Sequence, residues 1–161
     1  MTNITIVTSF NEKILKDSAH YMLDTLSKNL EPSVNLVCYH HDCNLDNYSV
    51  PSNSNITYKN LHDVSEHEEF LSKYSKHNGT ENNTIPYNIQ LDGVRFSHKV
   101  FALTEEAFTL ADKSVKPGWI VWIDADSYFK KRITKKDILA KLNKESDLAF
   151  IENDASFMAF N

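Results

Sequence analysis

The chain has 161 residues, 41% of them apolar and 24% charged, which suits one soluble globular domain that builds its own core. Seventeen basic residues stand against 22 acidic ones, net −5, which argues against nonspecific nucleic-acid binding. Glycine occurs only 3 times, at Gly79, Gly93 and Gly118, so no G-x-G-x-x-G or Walker loop can cradle a phosphate.

Ile4 to Thr8 is a β-branched run that reads as a buried first strand, with Asn11 as N-cap of the helix that follows. In that helix Leu15, Ala19, Met22, Leu26 and Leu30 form one apolar stripe, and Pro32 closes it. Val34 to Tyr39 reads as a second strand, so the opening is β-α-β and favours a parallel pair. Residues 42–55 read as a polar loop and Ile56 to Leu61 as a third strand. Ser65 and Glu68 have capping-box spacing ahead of a helix to about Lys76. Residues 77–88 read as a long exposed loop, a kind that is often functional.

A helix is expected from about Leu91 to Ala111, with Val100, Leu103, Ala107 and Leu110 on one face. After a Pro117-Gly118 turn, Trp119-Ile-Val-Trp-Ile123 is a wholly apolar strand suited to the centre of a sheet. Trp119 and Trp122 fall on its opposite faces. Thr134 and Asp137 are spaced to cap a helix through Leu142. Leu148 to Ile151 and Phe157 to Phe160 read as closing strands. No run of 18 apolar residues exists, so no membrane span is expected. The start lacks the basic and apolar regions of a signal peptide. Cys38 and Cys43 read as free thiols of a reducing compartment, and a cytoplasmic location is expected.

Asp124 and Asp126 follow the most apolar strand, and period-two geometry puts them on one side with Ala125 turned away. They would stand at the carboxyl end of a central strand, where open α/β sheets bind ligands. Two neighbouring carboxylates repel unless a cation sits between them, and Mg²⁺ or Mn²⁺ commonly shares such oxygens with a substrate's phosphates. On the preceding helix, Asp92, Arg95 and Lys99 are spaced by three and four and share a face. Arg95 and Lys99 could grip an anion, with Asp92 orienting Arg95.

Leu-Asp92-Gly-Val-Arg95-Phe-Ser-His-Lys99, followed by Trp-Ile-Val-Trp-Ile-Asp124-Ala-Asp126, resembles the donor half of nucleotide-sugar glycosyltransferases of the GT-A fold. The resemblance covers most of the chain in the right order. It implies a single α/β domain over 1–161, Rossmann-like, with a mostly parallel central sheet flanked by helices. It implies that Asp124 and Asp126 are catalytic and hold Mn²⁺ or Mg²⁺ against the donor diphosphate. Arg95 and Lys99 would contact donor sugar or phosphates, with Asp92 as helper. Thr8, Ser9 and Phe10 would hold the nucleoside, and Asp42 would lie near the base. The expected reaction moves a sugar from a nucleotide-sugar donor to an acceptor hydroxyl. Relatives of this kind continue well past the Asp-x-Asp strand into an acceptor region that this chain is expected to lack. A non-catalytic nucleotide-sugar-binding module, or one fragment of a split enzyme, is therefore the alternative.

Three further features are weaker. Cys38, His40, His41 and Cys43 match no zinc spacing. His98 could face the donor pocket. The basic residues 130–136 read as a solvated helix entrance. A phosphatase of the haloacid dehalogenase kind would carry its aspartate pair on the first strand, whereas most of this chain precedes Asp124.

Overall fold

The computed structural model describes residues 2–112, 118–142, 148–151 and 154–160. Strands β1 (Asn3–Phe10), β2 (Asn35–His40), β3 (Ile56–Asn60), β4 (Gly118–Ile123), β5 (Leu148–Ile151) and β6 (Asp154–Phe160) form one sheet in the order β3-β2-β1-β4-β6-β5. The first four strands are parallel. β6 runs antiparallel to both β4 and β5, so the fold is α/β with a mixed sheet.

The helices divide between the two faces. On one side lie α1 (Glu12–Ile14), the π turn Leu15–Ala19 and α2 (His20–Asn29). Their Leu15, Ala19, Met22, Leu23 and Leu26 pack on Ile4, Ile6 and Phe10 of β1 and on Trp119, Val121 and Ile123 of β4. The short helix α5 (Lys135–Leu139) adds Ile138 to this core. On the other side α4 (Gly93–Asp112), with Leu61 and Val64, covers Val7, Val37, Tyr39, Ile120 and Trp122, and α3 (Ser65–Tyr74) packs against α4. Trp119 and Trp122 therefore lock β4 into both layers, as alternation along the strand requires.

The local chemistry follows the sequence closely at most ends. The Asn11 side chain accepts from the Ile14 N–H at 2.9 Å, and Thr134 and Asp137 complete a reciprocal capping box. The first strand and the last are longer than their apolar runs. Main-chain pairing extends β1 to Phe10 beside His40 and β6 back to Asp154. Three expectations shift. Ser65 is the first helical residue rather than the cap, and its hydroxyl bonds Glu66 instead. The helix after Thr134 ends at Leu139, short of Leu142, though Leu142 is still buried. On α4 the one expected face divides: Leu103 and Leu110 pack on the core beside the buried Ala102, whereas Val100 is 57% exposed. Pro117 and Asn161 lie outside the described residues.

Beneath α4 sits a polar contact that ties it to the sheet. Lys59 Nζ of β3 stands 2.6 Å from Glu106 Oε2, and both lie within 3.3 Å of the Tyr39 hydroxyl. Glu106 is buried, so losing it leaves the Tyr39 O–H without its acceptor and Lys59 without its counter-charge. Glu106→Ala should lower stability by about 1–3 kcal/mol, read from the urea midpoint, and Glu106→Gln should cost less because it keeps an acceptor for Tyr39.

Candidate functional site

The chain leaves β1 in one direction to build β2 and β3, then returns to lay β4 on the other side of β1. Between the carboxyl ends of β1 and β4 the connections diverge, and a crevice opens there as it does in other open α/β sheets. A cleft of about 720 Å³ occupies this place. Ser9 of β1, Asp124 and Asp126 beyond β4, and Arg95 and Lys99 of α4 all line it. α4 is twenty residues long and presents its N-terminal turns here, which favours negative charge in the cleft.

Asp124 is a positioned carboxylate. The Trp122 indole N–H donates to its Oδ1 at 2.5 Å, and Lys99 Nζ stands 3.6 Å from the same oxygen. The Lys99 ammonium also lies 4.8 Å from the centre of the Trp122 ring, within cation–π range. Trp122 precedes Asp124 by two positions on an extended segment, so both side chains leave on the same face. The strand ends at Ile123, and a turn closed by the Ser127 N–H on the Asp124 carbonyl carries Asp126. The two aspartates thus share the cleft through a turn, not through strand alternation. Asp126 is exposed, while Ala125 is buried in the opposite core. Downstream, the Phe129 N–H donates to Thr25 and the Ile133 N–H to the Asn29 carbonyl, which ties the turn's exit to α2.

Asp92 acts on Arg95 from behind. Its Oδ1 accepts the Arg95 backbone N–H at 2.8 Å, an N-cap contact, and its Oδ2 accepts the Tyr87 hydroxyl at 3.1 Å. The Arg95 guanidinium donates to that same hydroxyl at 3.4 Å. Asp92 is buried and does not line the cleft. Tyr87 comes from the long loop 77–88, whose start is bridged to Asp92 through Asn78. Gly79 serves this arrangement: it adopts φ +77°, and a Cβ there would lie 2.6 Å from the Tyr87 ring.

Of the three residues expected at the nucleoside, only Ser9 reaches the cleft. Thr8 and Phe10 point to the opposite face, where Phe10 is core and the Thr8 hydroxyl is buried. Asp42 bonds His62 instead of lining the cleft. Cys38 is buried in the core and Cys43 is half-buried.

Two further parts complete the wall. His41 and His98 both line the cleft, with ring centres 3.8 Å apart. Burial, and then each other's proximity or that of His67, holds them neutral, pushing His41 down to about 3 and His98 to about 4. The rest of the cleft is apolar: Val100, Leu103 and Ala107 face Ile120, Trp122, Met158 and Phe160. Three of the four residues expected on one face of this helix, Val100, Leu103 and Ala107, therefore line the cleft. Hydrophobic periodicity marks a face without saying whether protein covers it. No family model matches the chain, and a search of curated proteins finds no match.

The histidine pair gives the stability a pH dependence of definite sign. Both groups titrate lower in the folded chain than their ordinary 6.5, so the unfolded chain binds protons first. Their contribution is complete above about pH 6.5 and is lost as pH falls toward 4 and then 3. The slope is at most about 1.4 kcal/mol per pH unit for each group. His98→Gln should flatten the loss between pH 6.5 and 4 in urea melts.

Proposed function

We propose that the chain binds a nucleotide sugar in this cleft and is a metal-dependent glycosyltransferase of the GT-A kind. One observation carries the reading: Ser9, Arg95, Lys99, Asp124 and Asp126, drawn from three separate segments, converge on the sheet's switch point. Two points support a hard divalent cation. The donor set is all oxygen, and the exposed Asp126 stands with a half-exposed Asp124 held through a single oxygen. Asp124 and Asp126 would hold Mn²⁺ or Mg²⁺, with water and phosphate oxygens completing the shell. When bound, the ion supplies charge neutralisation to the departing diphosphate.

The chain's own residues divide the remaining work. Trp122 fixes the direction of the Asp124 carboxylate. Lys99 and Arg95, at the positive end of α4, meet the donor's negative charge. A donor phosphate at this point would share the Lys99 ammonium with Asp124. The cleft's apolar length lowers the local dielectric around these charges, which strengthens each contact with the developing diphosphate charge. The sugar leaves the diphosphate for an acceptor hydroxyl, whose proton passes to a base.

The second reading is donor binding without transfer. The Lys99–Asp124 pair favours it to one degree: it already balances one carboxylate internally, as a site for binding an anion without a metal would.

A thermal-shift panel of nucleotide sugars with and without Mn²⁺ tests both. At about 100 times Kd a true donor stabilises the fold by about 2.7 kcal/mol. The shift should require Mn²⁺, vanish in Asp126→Ala and shrink in Arg95→Ala. Binding that is unchanged in Asp126→Ala removes the metal reading. Released or transferred sugar separates the enzyme from the binding module.

A further inference from the structure

We propose that His62, His67 and Glu68 form a second metal site, one that takes a borderline transition-metal ion, Zn²⁺ first among them. His62 stands in the 3₁₀ turn Leu61–Asp63 after β3, and His67 and Glu68 in the first turn of α3. Glu68 Oε1 lies 2.5 Å from His62 Nδ1 and 3.6 Å from His67 Nδ1. One ligand atom from each of the three falls within 4.8 Å of the other two, the one such group of His, Cys, Asp and Glu among the described residues.

A second observation points to a ligand. His67 is fully buried, with 0% of its side chain exposed, and neither ring nitrogen makes a full hydrogen bond, the ring only approaching the Leu61 backbone. A buried imidazole without a partner is costly, and a metal ion supplies the missing contact to a lone pair. Behind His62 a carboxylate is in place: Asp42 Oδ1 is 3.1 Å from Nε2. That contact leaves Nδ1 to face the ion, the arrangement by which carboxylates orient metal-bound histidines.

The donor set selects the ion. Two imidazoles and one carboxylate suit Zn²⁺, which takes His₂Glu with a water in the fourth position, and disfavour Mg²⁺. His62 and Glu68 are partly exposed, so solvent reaches that position. Ligands about 2.0–2.2 Å from a tetrahedral ion sit a little over 3 Å apart. His67 and Glu68 are near that spacing already, the His62 and His67 nitrogens lie within 4.8 Å of each other and draw together, and the His62–Glu68 hydrogen bond has to open by less than about 1 Å. Its proton goes to solvent as the ion replaces it, so binding strengthens from acid toward neutral pH. The proposal stands apart from the nucleotide-sugar reading, because it uses none of the same residues.

The test is a Zn²⁺ titration of the full chain at neutral pH, in competition with a chromophoric chelator, with Co²⁺ absorption as the second readout. One saturable equivalent is expected in the wild type, in an Asp124→Ala, Asp126→Ala double variant and in Cys43→Ser. His62→Ala and Glu68→Gln should each weaken binding at least tenfold, and Asp42→Asn about tenfold. His67→Ala removes a buried ring and can unfold the chain, so the partly exposed His62 and Glu68 carry the decision. Co²⁺ should give visible d–d bands without a thiolate charge-transfer band. No saturable site in the wild type, equal affinity in His62→Ala and Glu68→Gln, or a thiolate band would overturn the proposal.

Discussion

The parallel pairing of β4 against β1 is the constraint on which the cleft depends. It brings the end of the first strand beside the end of the strand that precedes Asp124, although more than a hundred residues separate them along the chain. The pairing is intimate at its start. Gly118 lies opposite Asn3, and a Cβ there would come within 2.5 Å of the Asn3 carbonyl oxygen. A side chain at this point would push the two strands apart. Both faces of β4 are then filled, by Trp119, Val121 and Ile123 on one side and Ile120 and Trp122 on the other. Once register is set at Gly118, alternation decides that Trp122 and Asp124 face the cleft together.

That register turns one core residue into a positioning residue. Trp122 fills the layer under α4, yet its indole N–H must find an acceptor, and Asp124 is the one it meets. The requirement to satisfy a buried donor thus fixes the direction of a carboxylate at the rim. Lys99, stacked on the same ring, is placed by the aromatic face as much as by its charge. On the proposed reading the donor's charged end is met by groups whose geometry the core has already set. Such preorganisation is what makes electrostatic stabilisation of a leaving group effective.

Much of this was legible in the residues. The order of strands and helices, the central place of Trp119–Ile123, the Asn11 and Thr134 caps and the grouping of Arg95, Lys99, Asp124 and Asp126 all follow from period, cap chemistry and strand ends. What was not legible depends on long-range packing. Thr8, Ser9 and Phe10 are consecutive on one strand, so at most alternate members reach one face, and which face is set by partners far along the chain. The spacing of Asp92 to Arg95 suggests a helper, but its route is set by packing: the helix begins just after Asp92, and its oxygens go to the Arg95 backbone and to Tyr87. Val100, Leu103 and Ala107 form a stripe with the period of one helical face, which does not itself say what that face meets. Only the tertiary position of α4, shifted over β1, leaves that stripe facing the cleft.

The histidines were the least legible, because imidazole is at home in cores, surfaces and metal shells alike. Their clustering comes from three segments: His41 after β2, His62 and His67 around the start of α3, and His98 on α4. Packing them ring to ring keeps His41 and His98 neutral, since each protonation would be opposed by burial and by the neighbouring rings. At the outer end of the row Glu68 and Asp42 reverse the balance and raise His62. The row therefore grades from apolar at the cleft to ionic at the surface. A cation arriving from solvent meets the carboxylate end first, and the imidazoles behind it select a softer ion than the oxygen pair at Asp124 and Asp126. On these assignments the softness of the donors, not distance alone, keeps the chemistry of the two sites apart.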